Sequence, residues 1–223
     1  MGLDMRPMGK PKPGYKKRFN QLFRIIQGIE KQKLTLCEKM RGKKEKSRED
    51  LLKEWFGIQI SSYETIKAPV IGKDNEANEW LNAVYELSGK EFLKEDFFRK
   101  YEGQYVIRLA KELDGIPVYS SVQQDENVFR GEFLRDCTDL IGNDLVNEAW
   151  TTKLAEETLD YGNRMMQVAN LIAVEKKLQF LKDQRNPPDS DENSIELKLH
   201  IIYSLSKWLI FYGKNGHGYE ADF

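Results

Sequence analysis

The sequence predicts an all-α fold, predominantly helical with minor extended segments: an irregular multi-helix bundle closed by a C-terminal antiparallel helix pair. Three observations predict it. Apolar residues recur at spacings of three and four along most of the chain, Ser, Asp, Thr and Gly punctuate those runs where helices start and stop, and β-type runs are few and short. The 223 residues read as one domain near the upper size that a single core supports. Eleven Phe, ten Tyr and four Trp supply the large buried area that disordered chains lack.

In chain order, residues 1–14 read as a Pro-rich lead that a partner would order, and residues 15–223 as a helical domain made of a basic helix and loop (15–48) and an acidic helical body (49–223). Tyr15 to Leu34 places Phe19, Leu22, Phe23, Ile26 and Ile29 on the apolar stripe of one amphipathic helix. Lys17, Arg24 and Lys31 recur every seven residues on its opposite side. Lys39 to Arg48 reads as an exposed basic connection around Gly42. Ser47, with Asp50 three residues on, opens a short helix through Leu51, Leu52, Trp55 and Phe56, which Gly57 ends.

From Ile58 to Gly72 the pattern predicts a loop with at most a short strand. Asp74 caps the next helix, whose core face is Trp80, Leu81, Val84, Tyr85 and Leu87 and which closes at Ser88-Gly89. A helical block from Glu91 to Leu113 is interrupted near Gly103, Asp114 to Pro117 form a turn, and Val118-Tyr119 is extended. Phe129 to Ile141 reads as a helix ending at Gly142-Asn143, with a short one following to Trp150. A long helix starts at Thr152 or a neighbour and reaches about Leu181, lined by Tyr161, Met165, Val168, Ile172 and Leu178.

Asn186 to Asp191 links it to the last helix, Ser194 to Tyr212, for which Asp189 and Glu192 form a capping-box start. Apolar residues occupy several sides of that helix, among them Leu199, Ile201, Leu205, Trp208 and Phe211, which places it at the centre of the core. No internal repeat of fixed period occurs, and this argues against a solenoid.

Charge is distributed unevenly. The whole chain carries a net −1, yet Met1 to Arg48 holds fifteen Lys/Arg against four acids, a local +11 that leaves −12 for the rest. Such a segment binds an anionic partner or the protein's own acidic body. Lys17, Arg24, Lys31, Arg41, Lys43 and Lys44 are the candidate contact residues, and nucleic acid is one such partner, since cations at helical spacing track phosphates. No helix-turn-helix or zinc-finger signature accompanies the charge.

Two histidines leave little room for metal chemistry. Three glycines bracket His217 after the most apolar helix, with Glu220 and Asp222 near it, so the segment would present a catalytic or metal-binding histidine. The reading the pattern favours is a helix C-cap at Gly213 followed by a polar turn and a tail strand or coil. Glu196 and His200 lie one helical turn apart and with His217 form the alternative metal set, but neither H-E-x-x-H nor the di-iron Glu-x-x-His pattern is present, and the favoured reading of His200 is a buried or boundary histidine with one hydrogen bond. Glu156, Glu157 and Asp160 read as helix-starting acids, with Asp160 and Arg164 an i,i+4 pair.

Cys37 and Cys137 form no C-x-x-C and read as free thiols, and Asp136 and Asp139 raise the pKa of Cys137. Walker, G-x-G-x-x-G and G-x-S-x-G patterns are missing. The first residues lack the apolar core of a secretory signal, Arg6 stands where a myristoylation motif needs Ser or Thr, and no apolar stretch reaches the roughly 20 residues of a membrane span. The expectation is therefore a cytoplasmic, non-catalytic protein-interaction or binding module without cofactor or membrane contact, with a protein partner or self-association. The alternatives are an enzyme or metal-dependent protein working around His217, and a nucleic-acid binder using the basic segment.

Overall fold

A computed structural model describes residues 2–33, 44–89, 93–111, 127–184, 186–191 and 193–222. The chain divides into two compact units, one made of residues 1–8 and 62–223, the other of Gly9–Ser61. Among the described residues eight α-helices dominate, and short strands accompany them.

In the smaller unit, strand β2 (Lys10–Pro11) precedes helix α1 (Lys16–Ile26), and helix α2 (Arg48–Gly57) precedes strand β3 (Gln59–Ile60), which pairs antiparallel with β2. Phe19, Leu22 and Phe23 of α1 are buried with Leu51 and Trp55 of α2, and the Phe19 ring stacks on Trp55 at 5.3 Å. Ser47 caps α2 as its sequence requires, accepting a bond from the Asp50 N–H at 3.1 Å.

Helix α1 is shorter than its periodicity predicts. Gly28 takes φ +73°, its N–H reaches the Ile25 carbonyl, and the Ile29 N–H reaches Arg24, the two bonds of a Schellman stop. Lys31 therefore lies beyond the helix, the heptad stripe Lys17-Arg24-Lys31 is broken after its second member, and Ile29 is exposed instead of joining the apolar face.

The larger unit opens with strand β1 (Asp4–Pro7), so the first part of the segment read as a lead enters its structure. Leu3 and Met5 are buried and alternate with Asp4 and Arg6, a period of two that is a strand signal. Pro7, which has no N–H to donate, takes the last position. β1 is the centre of a three-stranded antiparallel sheet between β4 (Phe129–Arg130) and β5 (Tyr219–Asp222), with Met5 opposite both Phe129 and Ala221. The fold is thus mostly helical with a small sheet, and the all-α expectation is corrected on this point. A sheet joining residues 4, 130 and 222 has no local signature.

Helix α3 (Ser62–Ile66) stands where the sequence pattern predicts a loop. Helices α4 (Asn75–Leu87) and α5 (Lys94–Tyr101) share a small core of Ala77, Leu81, Tyr85, Phe97 and Tyr101, while Leu87 is exposed. Asp74 precedes α4, but its carboxylate accepts from the Val70 N–H and not from the helix's first turn. Gly103, at φ +84°, follows α5, and among the described residues the predicted block resumes only as a 3-10 turn at Ile107–Leu109, while Glu91, Phe92 and Leu113 lie outside them. The turn expected at Asp114 to Pro117 and the extended Val118-Tyr119 lie outside the described residues.

The predicted helix Phe129 to Ile141 is replaced by β4, a 3-10 segment Gly131–Cys137 and helix α6 (Thr138–Glu148), which kinks at Gly142 where φ is +79°. Helix α7 (Ala155–Lys176) and helix α8 (Ile195–Lys214) form the expected antiparallel pair. Gly162 faces Leu209 and Ile210, Gly213 faces Leu159, and the Tyr203 hydroxyl bonds Asn170 at 3.2 Å. Position numbers rise on one helix as they fall on the other. Ser194 is the N-cap of α8, accepting from the Leu197 N–H at 3.2 Å, which displaces Asp189 from the expected role; Glu192 lies outside the described residues. Ten residues of α8 are buried, so it is the core helix.

Candidate functional site

His217 follows α8 as the chain turns into β5, with its backbone N–H on the Tyr212 carbonyl at 2.9 Å. The ring is fully buried. Nδ1 lies 2.8 Å from the Met8 carbonyl oxygen and Nε2 lies 2.8 Å from the Thr65 hydroxyl. A carbonyl only accepts, so Nδ1 carries the proton, and Nε2 is left to accept from Thr65 in the neutral ring. Both nitrogens are engaged in joining the end of β1, helix α3 and the C-terminal turn.

Glu220 and Asp222 are exposed on β5 while His217 points inward. Asp222 lies 3.4 Å from Arg6, and Asp4 lies 3.7 Å from Arg6 and 2.8 Å from Arg130, so these carboxylates and arginines pair across the charged face of the sheet. The three residues read as a catalytic group do not converge.

The metal set is separated too. His200 stands twelve residues before Tyr212 on α8, about 18 Å along the axis, and Glu196 is a further turn away from His217. Among the described residues no group of three or more His, Cys, Asp or Glu side chains is placed to hold a metal ion.

Cys137 is fully buried, and burial first, then Asp136, pushes its thiol up to about 12. Its sulfur lies 3.6 Å from the Lys198 carbonyl and 3.7 Å from that of Phe133. Cys37 lies outside the described residues. At the start of α7, the Glu157 carboxylate accepts from the Leu154 N–H at 3.0 Å, and Asp160 pairs with Arg164 at 2.8 Å.

One charged centre escaped the sequence. Glu148 receives both terminal nitrogens of Arg164 and, at 3.0 Å, the nearly buried Lys153 ammonium. Burial opposes its ionisation, but these bonds together outweigh it and hold the carboxyl below its ordinary value. Both cations stand 5.6 Å from the centroid of the Tyr161 ring, whose hydroxyl donates to Leu145 at 2.7 Å. Every group there is satisfied by another, which describes a clamp between α6 and α7. Residues 5 and 16 positions apart across a turn give no periodic signal.

The unit Gly9–Ser61 remains. It carries fifteen Lys/Arg against six acids, a net +9, while the other unit carries −10. Its described residues alone hold twelve cations and five acids. Arg18 grips Glu54 with two bonds of 2.7 and 2.8 Å, and Lys46 adds a third at 2.7 Å. The bond from Arg18 is the main reason the Glu54 carboxyl falls to about 2. Arg24 is only 4.0 Å from Glu30, and Lys17, Lys31 and Lys44 are exposed. Arg41 and Lys43 lie outside the described residues.

The chain matches no family model, no curated protein and no solved structure.

Proposed function

We propose that this protein is a non-catalytic binding module whose unit Gly9–Ser61 engages an anionic partner. The observation that carries the reading is the charge boundary: the net +9 belongs to one compact unit, and exposed Lys17, Arg24, Lys31 and Lys44 contribute to it. Charge concentrated on one folded unit raises local potential and speeds capture of an oppositely charged surface. The use of both His217 nitrogens in packing supports the same reading, because that ring is occupied with holding the chain together.

The test is chromatography of the full chain on immobilised heparin, a polyanion without sequence. A protein of net −1 with dispersed charge passes through; a protein with a focused cationic unit is retained at about 0.15 M salt. Lys17→Glu, Arg24→Glu and Lys31→Glu together should abolish retention. Passage of the wild-type chain at low salt overturns the proposal.

A further inference from the structure

We infer that the anionic partner of Gly9–Ser61 is a single-stranded nucleic acid, its phosphates held by lysines and its bases stacked on Tyr15 and Phe56. This rests on the binding reading above and gives the partner its chemistry. Tyr15 is 47% exposed and Phe56 62% exposed, although Phe19 and Trp55, their near neighbours in sequence, are buried against each other. Both rings belong to the α1–α2 pair. Tyr15 sits a turn before Phe19 on α1, and Phe56 lies 5.5 Å from the Trp55 ring on α2.

Lys12 ties the two sides together. Its carbonyl accepts from the Tyr15 N–H at 3.0 Å, its own N–H donates to Ile58 at 2.8 Å, and its ammonium donates to the Gly57 carbonyl at 2.9 Å, directly after Phe56. A bond to a carbonyl leaves the ammonium's charge uncancelled. Exposed Lys17 follows Tyr15 by two residues, and exposed Lys53 precedes Phe56 by three, a spacing that puts both on one side of α2. Phe56 thus has Lys53 on its side of α2 and the Lys12 ammonium at the next residue's carbonyl, whereas Lys17 lies on another side of α1 from Tyr15.

Phosphate contacts alone serve duplex and single strand alike, and an acidic protein satisfies lysines equally well. Exposed aromatic faces interleaved with cations select for bases that are not already stacked, because only a single strand offers both the charge and the free π-face. Stacking on a π-face that every base has makes such binding sequence-tolerant.

The test uses the full chain and fluorescence anisotropy with a labelled oligothymidylate of about 20 nucleotides, a labelled duplex of equal length, and heparin retention in parallel. The single strand should bind more tightly than the duplex. Tyr15→Ala and Phe56→Ala should each weaken it by about fivefold or more, leaving heparin retention and the circular-dichroism melt unchanged. Raising salt should weaken single-strand binding with a log–log slope near −3 if about four phosphates are contacted. Equal or tighter binding of the duplex, or alanine variants that bind the oligothymidylate as wild type does, overturns the inference. Retention on heparin without binding to either oligonucleotide also overturns it and points to an acidic protein partner. Loss of heparin retention by the wild-type chain removes the underlying binding reading itself.

Discussion

The Nδ1 atom of His217 lies 2.8 Å from the carbonyl oxygen of Met8, a bond across 209 residues that ties the C-terminal turn to the end of β1. Its other nitrogen is held by Thr65 at the same distance. The ring is a fully buried crosslink among three stretches remote in sequence. His217→Ala should therefore leave two polar groups unmatched and cost about 2 to 4 kcal/mol, read as a lower urea midpoint. A variant within about 0.5 kcal/mol of wild type would show that the histidine is not structural.

Gly213 tests the close approach of α7 and α8. In an ordinary helix interior Gly→Ala stabilises by about 1 kcal/mol. A Cβ at Gly213 would instead meet the Leu159 backbone N at 2.7 Å and Cα at 2.8 Å, atoms that cannot rotate away. Overpacking should win, so Gly213→Ala is expected to destabilise by about 1 to 3 kcal/mol in thermal or urea unfolding. Stabilisation would mean that the helices are farther apart than described.

Glu54 gives a pH signature. Its carboxyl falls from an ordinary 4.5 to about 2 in the folded chain, through Arg18 first and then Lys46. A depressed carboxylate contributes its full stability above about 4.5 and loses it as pH falls towards 2. Because the pair is partly solvent-exposed, screening limits the contribution to about 1 kcal/mol or less. Glu54→Gln should be less stable than wild type at about pH 6, and the difference should vanish between pH 4.5 and 2. A difference that persists through this window assigns the effect to packing.

Cys137 should be chemically silent while the protein is folded. With the thiol pushed up to about 12 and no solvent access, the thiolate fraction near pH 8 is about one in ten thousand. In a Cys37→Ser background, a disulfide reagent should label the chain only at the rate of unfolding and quickly in denaturant. Fast labelling without denaturant would place Cys137 at the surface.

What the sequence determined by itself is the part written in neighbouring residues. The α7–α8 pair followed from spacings of three and four, and the Ser47 cap from one polar side chain ahead of an apolar run. The basic character of the first quarter is a count, and needs no fold. Some local signals were present and outweighed: Gly28 is a helix stop that the longer apolar periodicity masked, and Leu3-Asp4-Met5-Arg6 alternates with period two inside a stretch dominated by prolines.

Tertiary structure alone decided the rest, because its partners are far apart along the chain. Phe129 became a strand residue when β1 offered its backbone for pairing, although its own neighbourhood reads as helix. Glu148 became the centre of a clamp only once α6 and α7 met, and His217 stayed apart from Glu196 and His200 because those two sit in the first turns of a rigid helix and His217 follows its far end. The same physics governs the exposure of Tyr15 and Phe56: α1 and α2 have one shared seam, Phe19 and Trp55 fill it, and the adjacent rings are left facing water.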